Sequence, residues 1–153
     1  MSADADLRSG EVTVALPTRR DAGLLFIGVI RTPWREPRAC PRRGDPAEGP
    51  PCRLELDPLW APALEGLVEG DLLQVLYWTH LARRDLVTQA PRGRPTPAGT
   101  FALRSPLRPN PIASSVARLV GREAPAILVV RGLDCVDGTP LLDIKPERCP
   151  VSG

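Results

Sequence analysis

The sequence predicts an all-β fold: a single-domain β-barrel with one short helix and long loops rich in proline and arginine. Three observations predict it. Nineteen prolines and thirteen glycines in 153 residues leave little room for long helices. The apolar segments are short, four to eight residues each. Several alternate apolar and polar side chains, and turn residues separate them, which is the pattern of a sandwich or barrel.

Val12 to Leu16 alternates weakly and suits an edge strand. Leu24 to Ile30 is an apolar run of the length of a buried strand. Arg53 to Leu56 alternates clearly. Asp57 is a good N-cap, Pro58 suits a first helical position, and Leu59, Trp60, Ala63, Leu64 and Leu67 form an apolar stripe. Pro62 limits that helix to about two turns, and Gly66 or Gly70 ends it. Leu72 to Thr79 reads as a central strand. Thr100 to Arg104, Ser115 to Val120, Ala126 to Val130 and Leu141 to Ile144 complete the set. Pro37 to Pro51, with five prolines and two glycines, and Arg83 to Pro97, with three prolines and four arginines, read as loops. Loops of that length in a compact domain are usually functional or disordered. Residues 1–10 are expected to fray. The organisation expected is an N-terminal extension over 1–23, a barrel domain over 24–147 and a tail over 148–153.

Composition narrows the function. The length fits one domain, and 42% hydrophobic residues is ordinary for a globular chain. No stretch approaches the roughly 20 apolar residues that span a bilayer. Met1 to Gly10 has no apolar core of a signal peptide, so a cytoplasmic protein with no membrane partner is expected. Cys40, Cys52, Cys135 and Cys149 form no C-x-x-C pair, and His80 is the single histidine, so no metal is expected. Neither a dinucleotide-binding glycine loop nor a phosphate-binding loop is present. Net charge is only +2, but nineteen of the twenty basic residues are arginine. Six arginines between Leu86 and Arg122 meet no acidic residue, and five more between Arg31 and Arg43 meet one glutamate. Such clusters suit a partner that carries phosphate or carboxylate.

Two segments concentrate the chemistry. In Phe101 to Ser115 the prolines fix the backbone of residues 105–111 as a stiff, extended stretch that can hold a ligand at low ordering cost. Arg104 and Arg108 flank its Ser105-Pro106 turn, either to bind an anion or as a solvated pair. Asn110, between two prolines, could bind an adenine edge or close an Asx turn. The second segment runs from Asp134 to Pro146. Asp137 there is expected to cap the Asp-Gly-Thr-Pro turn. Asp143 is the best candidate for a general base, with a surface ion pair to Lys145, the one lysine, as its bland alternative. His80 ends an apolar-aromatic strand and is either structural or ligand-lining. Cys40 and Cys135 read as small packing residues rather than nucleophiles.

Arg104-Ser105-Pro106-Leu107-Arg108-Pro109-Asn110-Pro111-Ile112, followed by Asp134, Asp137-Gly138-Thr139-Pro140 and Asp143-Ile144-Lys145-Pro146, resembles the TsaA-like family. The resemblance covers roughly residues 24–147. It implies a β-barrel that binds S-adenosyl-L-methionine without a Rossmann fold, in a homodimer with the cofactor near the subunit interface. It implies N6-methylation of threonylcarbamoyladenosine at position 37 of tRNA. Carried onto this chain, the cofactor side would be Arg42, Arg43, His80, Leu81, Arg104, Ser115, Leu133, Asp134 and Cys135. The acceptor side would be Asn110, Asp143 and Lys145, with Asp143 taking the N6 proton. Cys40-Pro41-Arg42-Arg43-Gly44 resembles the family's Pro-Arg-Gln segment, with Arg43 in place of Gln. Ala113 stands where the family usually has Gly, and Glu147 where it usually has Tyr. A small-molecule methyltransferase and a non-catalytic module binding adenosine or RNA remain as alternatives.

Overall fold

Period-two alternation builds the barrel. The computed structural model describes residues 7–148. Their strands are β1 (Val12–Thr13), β2 (Gly28–Arg31), β3 (Cys52–Leu56), β4 (Leu72–Trp78), β5 (Leu86–Gln89), β6 (Ala98–Gly99), β7 (Ile112–Ala124), β8 (Ile127–Arg131) and β9 (Thr139–Pro146). The chain divides into two units, one of residues 24–80 with the stretch from 113 onward, the other of the N-terminal residues to 23 with 81–112.

The larger unit holds a closed barrel in the order β2–β3–β8–β7–β4–β9, as the sequence predicts. The sheet closes on itself, so among the described residues no barrel strand is an open edge. Cys52, Leu54 and Leu56 of β3 point inward and are buried, as are Leu73, Val75 and Tyr77 of β4. Leu54 lies directly opposite Leu128 of β8, and neither is exposed at all. Ile30, Ala117, Leu119, Val130 and Leu141 complete this interior. On the outer wall, Arg53 forms a two-point ion pair with Glu123 at 2.7 and 3.1 Å.

Two elements of this unit differ from expectation. Leu24, Leu25 and Phe26 are not in a buried strand but 56, 72 and 56% exposed. β3 ends at Leu56, opposite Gly28; the Asp57 N–H still reaches the Ile27 carbonyl at 2.9 Å, and the chain then turns away into Pro58–Leu64, so the ladder on that side stops short of Leu24–Phe26. The predicted helix is a 3-10 helix, Pro58–Leu64, with Asp57 Oδ1 accepting from the Leu59 N–H at 3.0 Å. Pro62 inside it has no N–H to give an α-helical ladder.

The smaller unit is a three-stranded sheet in the order β1–β5–β6. β1 is the predicted edge strand, shortened to two residues. β5 lies inside the stretch expected to be a loop, and Thr100–Ala102, expected as strand, is a 3-10 turn. Both follow from buried polar groups. Gln89 Nε2 donates to Thr100 Oγ1 at 3.0 Å and to the Leu107 carbonyl at 2.7 Å, while Thr100 Oγ1 donates to the Leu86 carbonyl at 2.7 Å. Those bonds pin the proline-rich stretch. Arg108 clamps it further, donating to the carbonyls of Leu103 at 2.5 Å, Thr100 at 3.3 Å and Ser105 at 3.4 Å. The Nη1 of Arg108 is thus committed to the backbone of its own segment.

Of the stretch expected to fray, residues 1–6 lie outside the described residues, as do 149–153 of the expected tail. Residues 8–11 make a turn, in which the Glu11 N–H donates to the Arg8 carbonyl. The Glu11 carboxylate accepts from the N–H groups of Arg8 at 3.0 Å and Ala90 at 3.2 Å.

Candidate active site

The antiparallel order brings the ends of β2, β4 and β8 and the starts of β3, β7 and β9 to one mouth of the barrel. Three polar side chains meet there. Tyr77, inward on β4, donates its phenol O–H to Asp134 Oδ1 at 2.8 Å. Ser115 of β7 lies 2.8 Å from the same phenol and donates to the same carboxylate oxygen at 3.3 Å. Asp134 follows β8, between the buried Leu133 and Cys135. Its position is fixed from the other side of the mouth. Thr32 Oγ1 donates to the Cys135 carbonyl at 2.8 Å, and the Thr32 N–H donates to Asp137 Oδ1 at 3.0 Å. The Asp137 carboxylate therefore ties the end of β2 to this turn, instead of capping the turn locally as expected.

Burial, reinforced by the Asp134 charge, pushes the Tyr77 phenol well above its ordinary range, so it stays a neutral donor. Burial also raises the Cys135 thiol to about 12 and the Cys52 thiol to about 11. Cys40 is raised too, by burial and then by Asp134. None of the three is a thiolate at neutral pH, and among the described residues the mouth offers no sulfur nucleophile.

The remaining predicted residues separate into groups. Arg42 and Arg43 are exposed in the loop before β3, and His80 is exposed in the turn after β4. Asp143 and Lys145 of β9 pair with each other, as the bland alternative held. They sit opposite Leu76 and Gln74 of β4, on the outer wall, because Ile144 between them lies opposite inward-facing Val75. The structure does not bring them to the Tyr77–Ser115–Asp134 group. Leu81, Arg104 and Asn110 belong to the smaller unit and are exposed. There Arg84 Nε donates to the Pro109 carbonyl at 2.6 Å, and its Nη2 lies 3.4 Å from Asn110 Oδ1.

The arginine clusters also divide. Arg118, Arg122 and Arg131 donate to the carbonyls of Gly70, Leu64 and Gly49. Arg31 pairs with Glu55 at 3.2 Å. Arg35, Arg38, Arg42 and Arg43 are exposed, and among the described residues no acceptor takes them up. They form the part of the 31–43 cluster that is available to a phosphate.

Tyr77 escaped the sequence reading. A signal existed: it shares the inward phase of Leu73 and Val75, and a buried phenol needs a hydrogen-bond partner.

The family description tRNA-methyltransferase O N-terminal domain matches residues 29–148, most of the chain. The chain belongs to that family. The family resemblance read from the Arg104–Ile112 and Asp134–Pro146 motifs is therefore correct. Among its relatives is a probable S-adenosyl-L-methionine-binding protein, VirR, of Rhizobium radiobacter, 50% identical over 93% of this chain and 80% of the relative. A tRNA (adenine(37)-N6)-methyltransferase of Escherichia coli is 37% identical over 78% of this chain and 55% of that enzyme. A crystal structure of TrmO from Pseudomonas aeruginosa superposes with a TM-score of 0.67 at 37% identity, over 88% of this chain and 59% of that one. This TrmO-type chain thus spans a little over half the length of the E. coli enzyme and of that crystal chain. The barrel, the mouth residues and the motif segments all lie within or beside the matched region. Among the described residues no helix is long and apolar enough to cross a membrane.

Proposed function

We propose that this chain is an S-adenosyl-L-methionine-dependent methyltransferase that modifies N6 of threonylcarbamoyladenosine at position 37 of tRNA. We further propose that it works as a homodimer in the cytoplasm. The observation that carries the reading is the Asp134 carboxylate, held at the barrel mouth by Tyr77 and Ser115. Both donors take Oδ1, so Oδ2 is left to accept from a ligand. The donor set suits S-adenosyl-L-methionine, whose hydroxyls and ammonium need an acceptor and whose carboxylate needs a cation. Asp134 would take the former, Arg42 or Arg43 the latter. Leu133 and Cys135 would give apolar contact beside them, and His80 and Ser115 complete the proposed set within this unit.

When bound, the cofactor supplies a methyl group on a sulfonium that is already electrophilic. The chain's own work is alignment and exclusion of water. Tyr77 and Ser115 keep Asp134 in one orientation, so no reorganisation is needed when a ligand arrives. Asp143 and Lys145 are proposed for the acceptor side; because they stand on the outer wall of this barrel, Asp143 would receive the N6 proton of an acceptor held at the mouth of the partner protomer. Asp143→Asn is expected to lower kcat by about 10²–10⁴-fold and to leave cofactor affinity unchanged. Full methyl transfer by that variant would move the base elsewhere.

The exposed Arg35, Arg38, Arg42 and Arg43 support a tRNA substrate. With one arginine held by the cofactor carboxylate and about three phosphates neutralised, tRNA affinity is expected to fall by about 20–40-fold between about 50 and 200 mM salt. A flat salt response, read by filter binding, would favour a small-molecule acceptor. The exposed Leu24, Leu25 and Phe26 support self-association, because a contiguous apolar run is costly to leave in water.

The deciding experiment combines calorimetry with S-adenosyl-L-methionine and transfer of labelled methyl to tRNA with and without threonylcarbamoyladenosine. Micromolar binding with label only in the modified tRNA supports the reading. Binding without tRNA labelling leaves the cofactor and removes the substrate. No binding at millimolar cofactor overturns the methyltransferase itself.

A further inference from the structure

Gly44 follows the Arg42-Arg43 pair, and no motif of the sequence explains why it is a glycine. The structure does. A Cβ added at Gly44 would lie 1.8 Å from the Gly132 carbonyl oxygen, 2.4 Å from its carbon and 3.1 Å from the Leu133 nitrogen. All three atoms are backbone, so no side chain can swing away to make room. Gly132 is itself constrained. Its φ of +116° is a conformation that L side chains rarely adopt, and a Cβ there would lie 2.7 Å from the Val116 carbonyl oxygen and 3.1 Å from Pro46 Cα. Three backbones are thus stacked at distances that only glycine permits. Each lies within two residues of a group of the proposed site: Arg43 beside Gly44, Ser115 beside Val116, and Asp134 two residues after Gly132.

The loop after Gly44 is braced, so it cannot absorb a displacement by flexing. Asp45 Oδ1 accepts from the N–H groups of Ala47 at 2.9 Å and Glu48 at 3.1 Å. The Gly49 N–H returns to the Asp45 carbonyl at 2.9 Å. Arg131 Nη1 of β8 holds the Gly49 carbonyl at 2.6 Å. A side chain at position 44 would push this unit, and Arg42-Arg43 with it, off the Gly132–Leu133 backbone.

We propose that Gly44, through its contact with Gly132, is a positioning residue that sets the distance between the Arg42-Arg43 loop and Asp134, and so the fit of the cofactor. This rests on the reading that those residues hold S-adenosyl-L-methionine. A misplacement of about 1 Å between binding groups can cost up to about 10²-fold. Gly44→Ala is therefore expected to raise Kd and KM for S-adenosyl-L-methionine by about 10-fold or more, with kcat at saturating cofactor within about 2-fold of the parent. A merely structural loss would instead lower the active fraction, and with it kcat, at unchanged KM. Gly121→Ala on β7 is the control, since a Cβ there meets nothing within 4 Å.

If Gly44→Ala does not fold, Asp45→Ala releases the same brace without crowding it and is expected to raise the cofactor Kd by about 3-fold. An unchanged cofactor Kd and KM in Gly44→Ala, or an unchanged Kd in Asp45→Ala where only that variant folds, overturns the proposal. Parent protein that binds cofactor while these variants bind equally well sinks the positioning role alone. Parent protein that binds none sinks the underlying reading.

Discussion

Asp134→Ala is expected to raise the Kd for S-adenosyl-L-methionine by about 100-fold or more, measured by calorimetry on the folded variant. The carboxylate is the one anionic group that the Tyr77 and Ser115 hydroxyls hold at the barrel mouth. A hydrogen bond to a charged group contributes about 1.5–3 kcal/mol, and each 1.4 kcal/mol is a factor of ten in affinity. Two such bonds from a ligand to Oδ2 account for the loss. Tyr77→Phe should have a smaller effect, about 10-fold, because Ser115 still donates to Oδ1. The ordering matters more than the values. If Asp134→Ala binds the cofactor like the parent, the mouth of the barrel is not the cofactor site.

The largest effect on stability is expected from Leu54→Ala. Leu54 is wholly buried and faces the equally buried Leu128 across the β3–β8 ladder, so its truncation opens a cavity inside the barrel. Such truncations cost about 2–5 kcal/mol, against a total of about 5–15 kcal/mol for a domain. A melting temperature lower by about 10 °C follows for a chain of this size. Leu59→Ala is the comparison: its side chain is 72% exposed, and the expected change is within about 0.5 kcal/mol. Equal losses in the two variants, read by thermal denaturation, would mean that the β3–β8 interior is not the core.

Much of this molecule was legible before its structure. The barrel was, because β3 and β4 alternate with the period of a pleated strand, and that period depends on local geometry alone. The Asp57 cap and the limit set by Pro62 were legible for the same reason, although the element is a 3-10 helix. Family membership was legible because its motifs are contiguous in the chain. Leu24 to Phe26 was misjudged because hydrophobicity says that a run prefers burial, not whether a partner strand exists to bury it.

The site is where sequence stops. Tyr77, Ser115 and Asp134 are separated by 38 and 19 positions, and only closure of the barrel makes their hydroxyls and carboxylate neighbours. The arginines make the same point. Arg118, Arg122, Arg42 and Arg43 share their chemistry and are all exposed, yet the first two are bonded to carbonyls 48 and 58 residues away, while no acceptor among the described residues takes up the second two. Composition could count the guanidinium groups, but their availability depends on where distant carbonyls fall. Gly44 is the sharpest case. Nothing local requires glycine there, and the requirement comes from the Gly132 backbone, which approaches more closely than a side chain would allow. Sequence by itself determined the strands, the turns and the family. Tertiary structure decided which polar groups meet and which are used up, because those are set by contacts between residues far apart in the chain.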